Sequence, residues 1–315
     1  MANIMLNDYC NLSCSYCFAR NTYSMNKKYI TLNNFKLALD FILKDNEELI
    51  GLIGGEPTLH PKFYEILELL NCDERVKNIL LFTNGTQLQQ MITTLECPKS
   101  SILLNFNNES DIGENYTKII KNINELYERG YDLEHRLALG LNVYNNRIRF
   151  DIFDVLQRFN IRIIRISLVV PNNDLLNNPR NYFLEYSSTL KKYISIAIEK
   201  NIIPIFDCNT PPLCTIDNKF RKEILMKMKN RITNVICNEC DCFPVIDILP
   251  NLDVIRCFGT GNYTKKKISQ FKNIEELRDY YISSYDLKVK NTNRSPSCKN
   301  CNYRNKCSGG CLGIK

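Results

Sequence analysis

The sequence is poor in every feature that would place a protein in a membrane, outside the cell or on a nucleic acid. Its longest apolar runs, such as IIRISLVV, carry an arginine or fall short of the roughly twenty residues that cross a bilayer. No basic segment followed by an apolar stretch and a small-residue cleavage site opens the chain, so no secretory signal is expected. Repeats and low-complexity tracts are absent, and only two histidines, His60 and His135, offer an imidazole for acid–base work. Basic residues outnumber acidic ones by 41 to 34, but they are scattered, and KKK at 265–267 is the one tight basic run. That balance reads as a solvated surface, with an acidic leader peptide as the one partner the run could meet. Neither a nucleic-acid nor a membrane partner is expected, and the expected location is the cytoplasm.

Cysteine, by contrast, is abundant: fifteen in 315 residues. In a reducing compartment so many thiols point to metal ligands before disulfides. Three of them, Cys10, Cys14 and Cys17 in YCNLSCSYCFAR, are spaced C-x3-C-x2-C. A further four, Cys298, Cys301, Cys307 and Cys311, are spaced C-x2-C-x5-C-x3-C.

Up to about residue 200 short apolar runs alternate with helical patterns, which predicts repeated βα units and a parallel sheet. Strands are expected at 4–6, 49–53, 78–82, 101–106, 137–143 and 161–169, and six such strands fit a partial barrel. Helices are expected at 31–44, with Thr31 as N-cap and Leu32, Phe35 and Leu39 on one apolar face, and at 61–70, 115–129, 147–159 and 183–200. Past Pro204 the rhythm stops and cysteines become dense. A short helix near 220–231 leads to a hairpin around Pro250 and Asn251. The fold class read from this pattern is α/β: a partial (β/α)6 barrel of the TIM type with a smaller, cysteine-rich C-terminal domain. The expected division is a barrel at 1–200, a linking strand and helix at 201–231, and an auxiliary domain at 232–315. Residues 232–315 are too irregular to rely on an apolar core alone, so metal clusters would serve as their cross-links.

The cysteine triad directly follows the first strand, at the end of the sheet where parallel βα barrels keep their chemistry. A bare triad would also suit zinc. The second strand, however, runs into Gly54, Gly55, Glu56 and Pro57. Triad and GGEP together resemble the radical S-adenosylmethionine (radical SAM) enzymes. The resemblance implies a [4Fe-4S] cluster on Cys10, Cys14 and Cys17 whose fourth iron chelates the amine and carboxylate of SAM. One electron then cleaves the sulfonium to a 5'-deoxyadenosyl radical, which abstracts hydrogen from an unreactive C–H bond. GGEP would take the methionine amine, its glycines allowing close backbone approach and its carboxylate pairing with the ammonium. Tyr16 would lie near the adenine, and Asn84 with Gly85, Asn142 and Ser167 are weaker SAM candidates, each equally readable as a turn or barrel-lining residue.

The C-terminal cysteines resemble the SPASM region of radical SAM enzymes, which implies one or two auxiliary [4Fe-4S] clusters. The upstream element is Cys242, then Leu252 in the place of a glycine, then Cys257. By the resemblance, one cluster uses Cys242, Cys257 and Cys311 with either Cys237 or Cys240. The other uses Cys298, Cys301 and Cys307 and lacks a fourth ligand, which leaves three options: a natural end at Lys315, Cys240 reaching across, or an open iron for a substrate thiolate. A zinc ribbon is the alternative for this region. Cys72 and Cys97 read as free thiols, while Cys208 and Cys214 are open between ligation and substrate contact.

The barrel and SPASM combination implies a peptide or protein substrate, with a thioether or carbon–carbon cross-link as the leading outcome, ahead of epimerisation or formylglycine formation. Formylglycine-forming enzymes place an aspartate after the G-x4-C cysteine, where this chain has Phe258. Cys10 comes so early that leader binding would need another surface or a separate protein, and reduction would need a donor such as flavodoxin or ferredoxin. The alternatives are a radical SAM oxidoreductase acting on a small molecule and, in a different class, a non-catalytic iron–sulfur scaffold. His60 is open between a role near the cofactor and capping the helix that starts at Pro61, and the acids Asp207, Asp253 and Glu239 cannot be ranked.

Overall fold

In the computed structural model, residues 2–17, 27–45, 47–88, 98–170, 178–227, 240, 242–292 and 295–314 are described. Cys97, Cys237, Glu239 and the end of the helix expected at 220–231 lie outside them. Seven strands run parallel in sequence order: β1 (Ala2–Met5), β2 (Leu49–Ile53), β3 (Asn78–Thr83), β4 (Ser100–Asn105), β5 (Leu137–Val143), β6 (Ile163–Leu168) and β7 (Ile203–Phe206). Helices α1 (Leu32–Leu43), α2 (Phe63–Cys72), α3 (Glu109–Ile112), α4 (Asn115–Glu128), α5 (Leu133–Arg136), α6 (Asp151–Arg158), α7 (Pro179–Glu185) and α8 (Ser187–Glu199) fill the connections. This is the α/β, partial-barrel arrangement that the alternating pattern predicts.

The chain then turns back to the first strand. After α9 (Asn218–Lys227), strand β8 (Asp247–Ile248) pairs parallel with β1, and β9 (Asp253–Ile255) and β10 (Lys266–Lys267) continue the sheet antiparallel. The whole sheet has ten strands in the order β10-β9-β8-β1-β2-β3-β4-β5-β6-β7.

Local physics accounts for the elements. Thr31 caps α1 through its hydroxyl, which accepts from the Asn34 amide at 3.1 Å, and Phe35, Ala38, Leu39 and Ile42 bury the inner face. The expected helix at 147–159 starts only at Asp151. Upstream, the Tyr193 hydroxyl accepts from the Arg149 amide at 2.9 Å and donates to the Arg147 carbonyl at 3.0 Å, so tertiary bonds take the groups a first helical turn would use. Tyr186 interrupts the expected helix at 183–200, splitting it into α7 and α8. Strand β7 extends the parallel run beyond the six strands expected. Pro204 lacks an amide hydrogen, but β7 is the outermost strand on its side, where that loss is tolerated.

The hairpin expected at Pro250 and Asn251 joins β8 to β9. Leu252, at the position that holds glycine in the family motif, adopts a left-handed φ of 63°. The turn therefore keeps the glycine-type backbone without the glycine, at a conformational cost of about 1 kcal/mol.

His60 is buried between β1's loop and α2. Its Nε2–H donates to the Ile30 carbonyl at 2.9 Å, and Nδ1 accepts from the Lys62 amide at 3.1 Å. Both ring nitrogens are thus used by the neutral imidazole in fastening loops. Burial lowers its pKa from the ordinary 6.5. Folding therefore opposes its protonation: the stability this imidazole contributes is complete above pH 6.5 and is lost as pH falls through the depressed folded value. We expect the advantage of the wild type over His60→Gln in urea unfolding to be greatest at neutral pH and to shrink steadily on acidification. A gap that does not depend on pH would contradict this.

Candidate metal centre

Cys10, Cys14 and Cys17 lie on the loop after β1, partly exposed and at the carboxyl ends of the strands. The loop is held against the end of β2 by backbone bonds: the Gly55 amide donates to the Asn7 carbonyl at 3.0 Å and the Glu56 amide to the Tyr9 carbonyl at 2.8 Å. This contact explains the glycines. A Cβ on Gly54 would stand 2.6 Å from Asn7 Oδ1, and one on Gly55 only 2.2 Å from the Tyr9 carbonyl oxygen. Their small size admits the cysteine loop itself.

Glu56 does not present its carboxylate to the outside. It is fully buried and accepts from the Thr58 hydroxyl at 2.6 Å, the Thr83 hydroxyl at 2.7 Å, the Asn84 amide at 2.7 Å and the Thr58 amide at 3.3 Å. These four donors come from the chain itself, and desolvation raises the Glu56 pKa despite them. Pro57, buried beside it, starts a single turn of 3-10 helix ending at Leu59.

Two asparagines reach the triad. Asn84, after β3, points its amide at Cys10 Sγ (3.6 Å), and Asn107, after β4, points its amide at Cys14 Sγ (3.4 Å). Asn84 is further braced by Asn11 and Thr86, which sits at 2.8 Å from its side-chain oxygen. Tyr16 donates its hydroxyl to Asn107 Oδ1 and stacks on Tyr144, with ring centroids 4.7 Å apart and planes at 18°. The Leu12 amide also lies on Cys10 Sγ at 3.4 Å. Burial nevertheless pushes the Cys10 thiol up to about 12 and raises that of Cys14, so bare thiolates are costly here and a cationic metal centre would relieve them. Asn107 was missed in the sequence; only its place one loop beyond a strand's carboxyl end could have flagged it.

The weaker candidates separate. Asn142 lines a pocket of about 470 Å³ together with Asn108, Tyr144, Arg149 and Asp151, and Tyr144 is the wall it shares with the stacked Tyr16. Ser167 accepts from Asn209 at 2.9 Å. Among the acids, Asp207 pairs with Arg165 at 3.3 Å, and Asp253 pairs with Lys267 at 2.6 Å. A carboxylate not singled out in the sequence, Asp247, is buried between the Asn3 amide (2.7 Å) and the Phe258 amide (3.1 Å), and desolvation raises it to about 7.

In the C-terminal region Cys242 and Cys257 come together at Arg256. This guanidinium is completely buried, pairs with Asp286 at 2.5 Å, donates to the Cys242 carbonyl at 2.7 Å, and approaches Cys242 Sγ at 3.5 Å and Cys257 Sγ at 3.6 Å. The Cys257 and Cys311 loops meet at Gly259 and Gly313, where a Cβ on Gly313 would stand 3.1 Å from Gly259. Cys240 is instead bridged to Cys307: its amide donates to the Lys306 carbonyl at 2.8 Å and its carbonyl accepts from Ser308 at 2.7 Å. Amides two residues ahead point at Cys301 Sγ (3.5 Å) and Cys307 Sγ (3.4 Å), as at Cys10. Among the described residues, no three His, Cys, Asp or Glu side chains gather tightly enough for a single metal ion.

Two substitutions test this architecture. Gly55→Ala forces the cysteine loop away from β2, and we expect it to cost about 1–3 kcal/mol and to lower the iron retained at Cys10, Cys14 and Cys17 after reconstitution. Arg256→Met strands the Asp286 carboxylate and should cost about 3–5 kcal/mol, most of which Arg256→Met/Asp286→Leu should restore in chemical denaturation.

Comparison with known proteins agrees with this geometry. The description Radical SAM superfamily matches residues 4–149, which carry the triad, GGEP and both asparagines. Among curated relatives, GTP 3',8-cyclase of Actinobacillus succinogenes is 25% identical over 138 residues, 41% of each chain. The probable GTP 3',8-cyclase of Methanocaldococcus jannaschii is 34% identical over 93 residues, 30% of this chain and 31% of its own. The match thus spans less than half the length of either relative. Two solved structures share the fold over nearly the whole chain. Streptococcus suis SuiB bound to S-adenosylmethionine has a TM-score of 0.67 at 16% identity, over 98% of this chain and 72% of its own. Native anSMEcpe with bound AdoMet has a TM-score of 0.66 at 16% identity, over 98% and 88%. Residues 4–149, just under half of the chain, are therefore similar to the Radical SAM superfamily, within a fold shared along nearly the whole chain with SuiB and anSMEcpe.

Proposed function

We propose that the protein is a radical SAM enzyme that oxidatively modifies a peptide or protein, forming a thioether or carbon–carbon cross-link. The observation that carries this reading is that the fold likeness extends past the radical SAM domain through the cysteine-rich C-terminal region. It includes SuiB bound to its precursor peptide SuiA, at a TM-score of 0.62 and 18% identity. Cys10, Cys14 and Cys17 would hold a [4Fe-4S] cluster, which would supply the electron for the reductive cleavage of SAM.

The chain's own residues prepare that site. Asn84 and Asn107 offer side-chain amide hydrogens to two of the three sulfurs. The stacked Tyr16 and Tyr144 form a flat wall between the triad and the pocket lined by Asn142, Arg149 and Asp151. GGEP, in this reading, offers SAM its backbone while Glu56 holds the loop from behind. The auxiliary sites, built on Cys242, Cys257 and Cys311 and on Cys298, Cys301 and Cys307, would take an electron from the substrate. A leader-binding protein and a flavodoxin or ferredoxin complete the proposed set of partners, in the cytoplasm. The domain division proposed is a barrel at 1–200, a link at 201–231 and the auxiliary domain at 232–315.

The GTP 3',8-cyclase relatives favour a second reading, a small-molecule substrate. Their matches cover only 41% and 30% of this chain. Formylglycine formation is disfavoured by Phe258 at the position of the expected aspartate.

The anaerobically reconstituted protein, given SAM and a one-electron reductant, should release 5'-deoxyadenosine, and Cys14→Ala should abolish the release. A small cysteine-rich peptide encoded beside its gene, when added, should lose the mass of two hydrogens per cross-link. Consumption of GTP with no change in the peptide would favour the small-molecule reading.

A further inference from the structure

The two asparagines that reach the triad are held in different ways. Asn84 is fixed through its backbone by Glu56 and through its side chain by Asn11 and Thr86. Asn107, 5% exposed, has both ends of its side chain engaged at the triad: Nδ2 points at Cys14 Sγ at 3.4 Å, and Oδ1 accepts from the Tyr16 hydroxyl. Its place therefore depends on its backbone, and a side chain from beyond β5 takes hold of that backbone. Arg149 Nη1 donates to the Phe106 carbonyl, and Nη2 donates to the Asn107 carbonyl at 3.3 Å.

The guanidinium is itself anchored. Nε and Nη2 bond the two carboxylate oxygens of Asp151 at 3.2 and 2.5 Å, and the central carbon lies 5.2 Å from the Phe106 ring centroid. Only 10% of the Arg149 side chain is exposed. Its amide is held by the Tyr193 hydroxyl at 2.9 Å, and the Tyr116 hydroxyl donates to Asp151 at 3.3 Å. A planar fork can grip two successive carbonyls and a carboxylate at once, which a point-like ammonium cannot. These bonds go to carbonyls and a carboxylate, and the contact they pass on to the triad is that of Asn107.

We propose that Arg149 is a positioning residue for the triad: by holding the carbonyls of Phe106 and Asn107 it keeps the Asn107 amide on Cys14 Sγ. The inference rests on the reading of Cys10, Cys14 and Cys17 as a [4Fe-4S] site, and deepens it by naming a residue that sets how readily the site accepts an electron. A hydrogen bond to a ligating sulfur stabilises the reduced form of such a cluster, so holding the donor in place raises the reduction potential and releasing it lowers the potential.

The test is a redox titration of the reconstituted full-length protein followed by electron paramagnetic resonance, on the reduced-cluster signal that disappears in Cys10→Ala/Cys14→Ala/Cys17→Ala. At a fixed solution potential, Asn107→Ala should lower the ratio of reduced to oxidised cluster about tenfold, a shift of ~59 mV for one electron. Arg149→Met should shift it in the same direction; Asp151, with 40% of its side chain exposed, is open to hydration when its partner is removed. The deciding measurement is the double variant: added to Asn107→Ala, Arg149→Met should move the potential by less than about half of what it does alone. Equal shifts in the two backgrounds would mean that the charge of Arg149 acts without Asn107, and would overturn the proposal, as would an unchanged potential in Arg149→Met. Arg149→Gln, which is neutral and keeps a donor for one carbonyl, carries the same cycle where the methionine variant does not fold. If the triple cysteine variant loses no signal, the reading of the triad fails and this inference with it. If the signal is lost there but the two shifts add, only this inference fails.

Discussion

The buried carboxylate of Glu56 is the point on which the candidate active centre depends. Removing a carboxylate from water is expensive unless donors replace the solvent, and four do so here, from Thr58, Thr83 and the Asn84 backbone. Those donors come from the turn after β2 and the end of β3, so satisfying one side chain fixes two loops. The Glu56 carbonyl accepts from the Asn7 side chain at 2.8 Å, and its amide donates to Tyr9, which adds the loop after β1. The three loops form one hydrogen-bonded body. Asn84 shows the consequence: its backbone is held by Glu56 while its side chain lies on Cys10 Sγ, so a donor to the site inherits its position from the carboxylate.

The C-terminal region repeats the same solution with the opposite charge. Arg256 is fully buried, and Asp286, the Cys242 carbonyl and two sulfurs take up its donors. Such a pair adds little net stability over an apolar core, but breaking it leaves a stranded charge, which favours one arrangement over its competitors. Strand β8 bonds this region to β1, and Asn3, in β1, donates to Asp247, which in turn accepts from the residue after Cys257. The first strand of the barrel is thereby in register with both the triad's loop and the auxiliary cysteines.

Much of the barrel was legible because its signals are local. Apolar periodicity located the strands, Thr31 announced α1, and cysteine spacing marked both metal regions. What escaped depended on contacts distant in sequence. The late start of α6 comes from Tyr193, which meets Arg147 and Arg149 only once α8 packs against their loop. Strand β7 falls where a linking strand was expected, at 201–231, but its parallel pairing with β6 as a seventh strand of the barrel sheet depends on an edge position that tolerates Pro204. GGEP was recognised as a motif, but no spacing rule reveals that two threonines and an amide will surround the Glu56 carboxylate. Cys240 stands two residues from Cys242, yet its strand-like pairing is with Cys307, a contact that no local spacing announces.

Hydrogen-bond donors and charge around the sulfurs distinguish the centres electronically. At the triad the groups reaching Cys10 and Cys14 are neutral amides. At Cys242 and Cys257 the group is a guanidinium in a desolvated interior, and its partner Asp286 is bound through Nε and Nη2 while Nη1 faces Cys257. A fixed cation beside the sulfurs stabilises added negative charge, and the low local dielectric strengthens the effect. Guanidinium donors shared between Asp286 and the two sulfurs thus set Cys242 and Cys257 apart from the triad, whose donors Asn84 and Asn107 carry no charge.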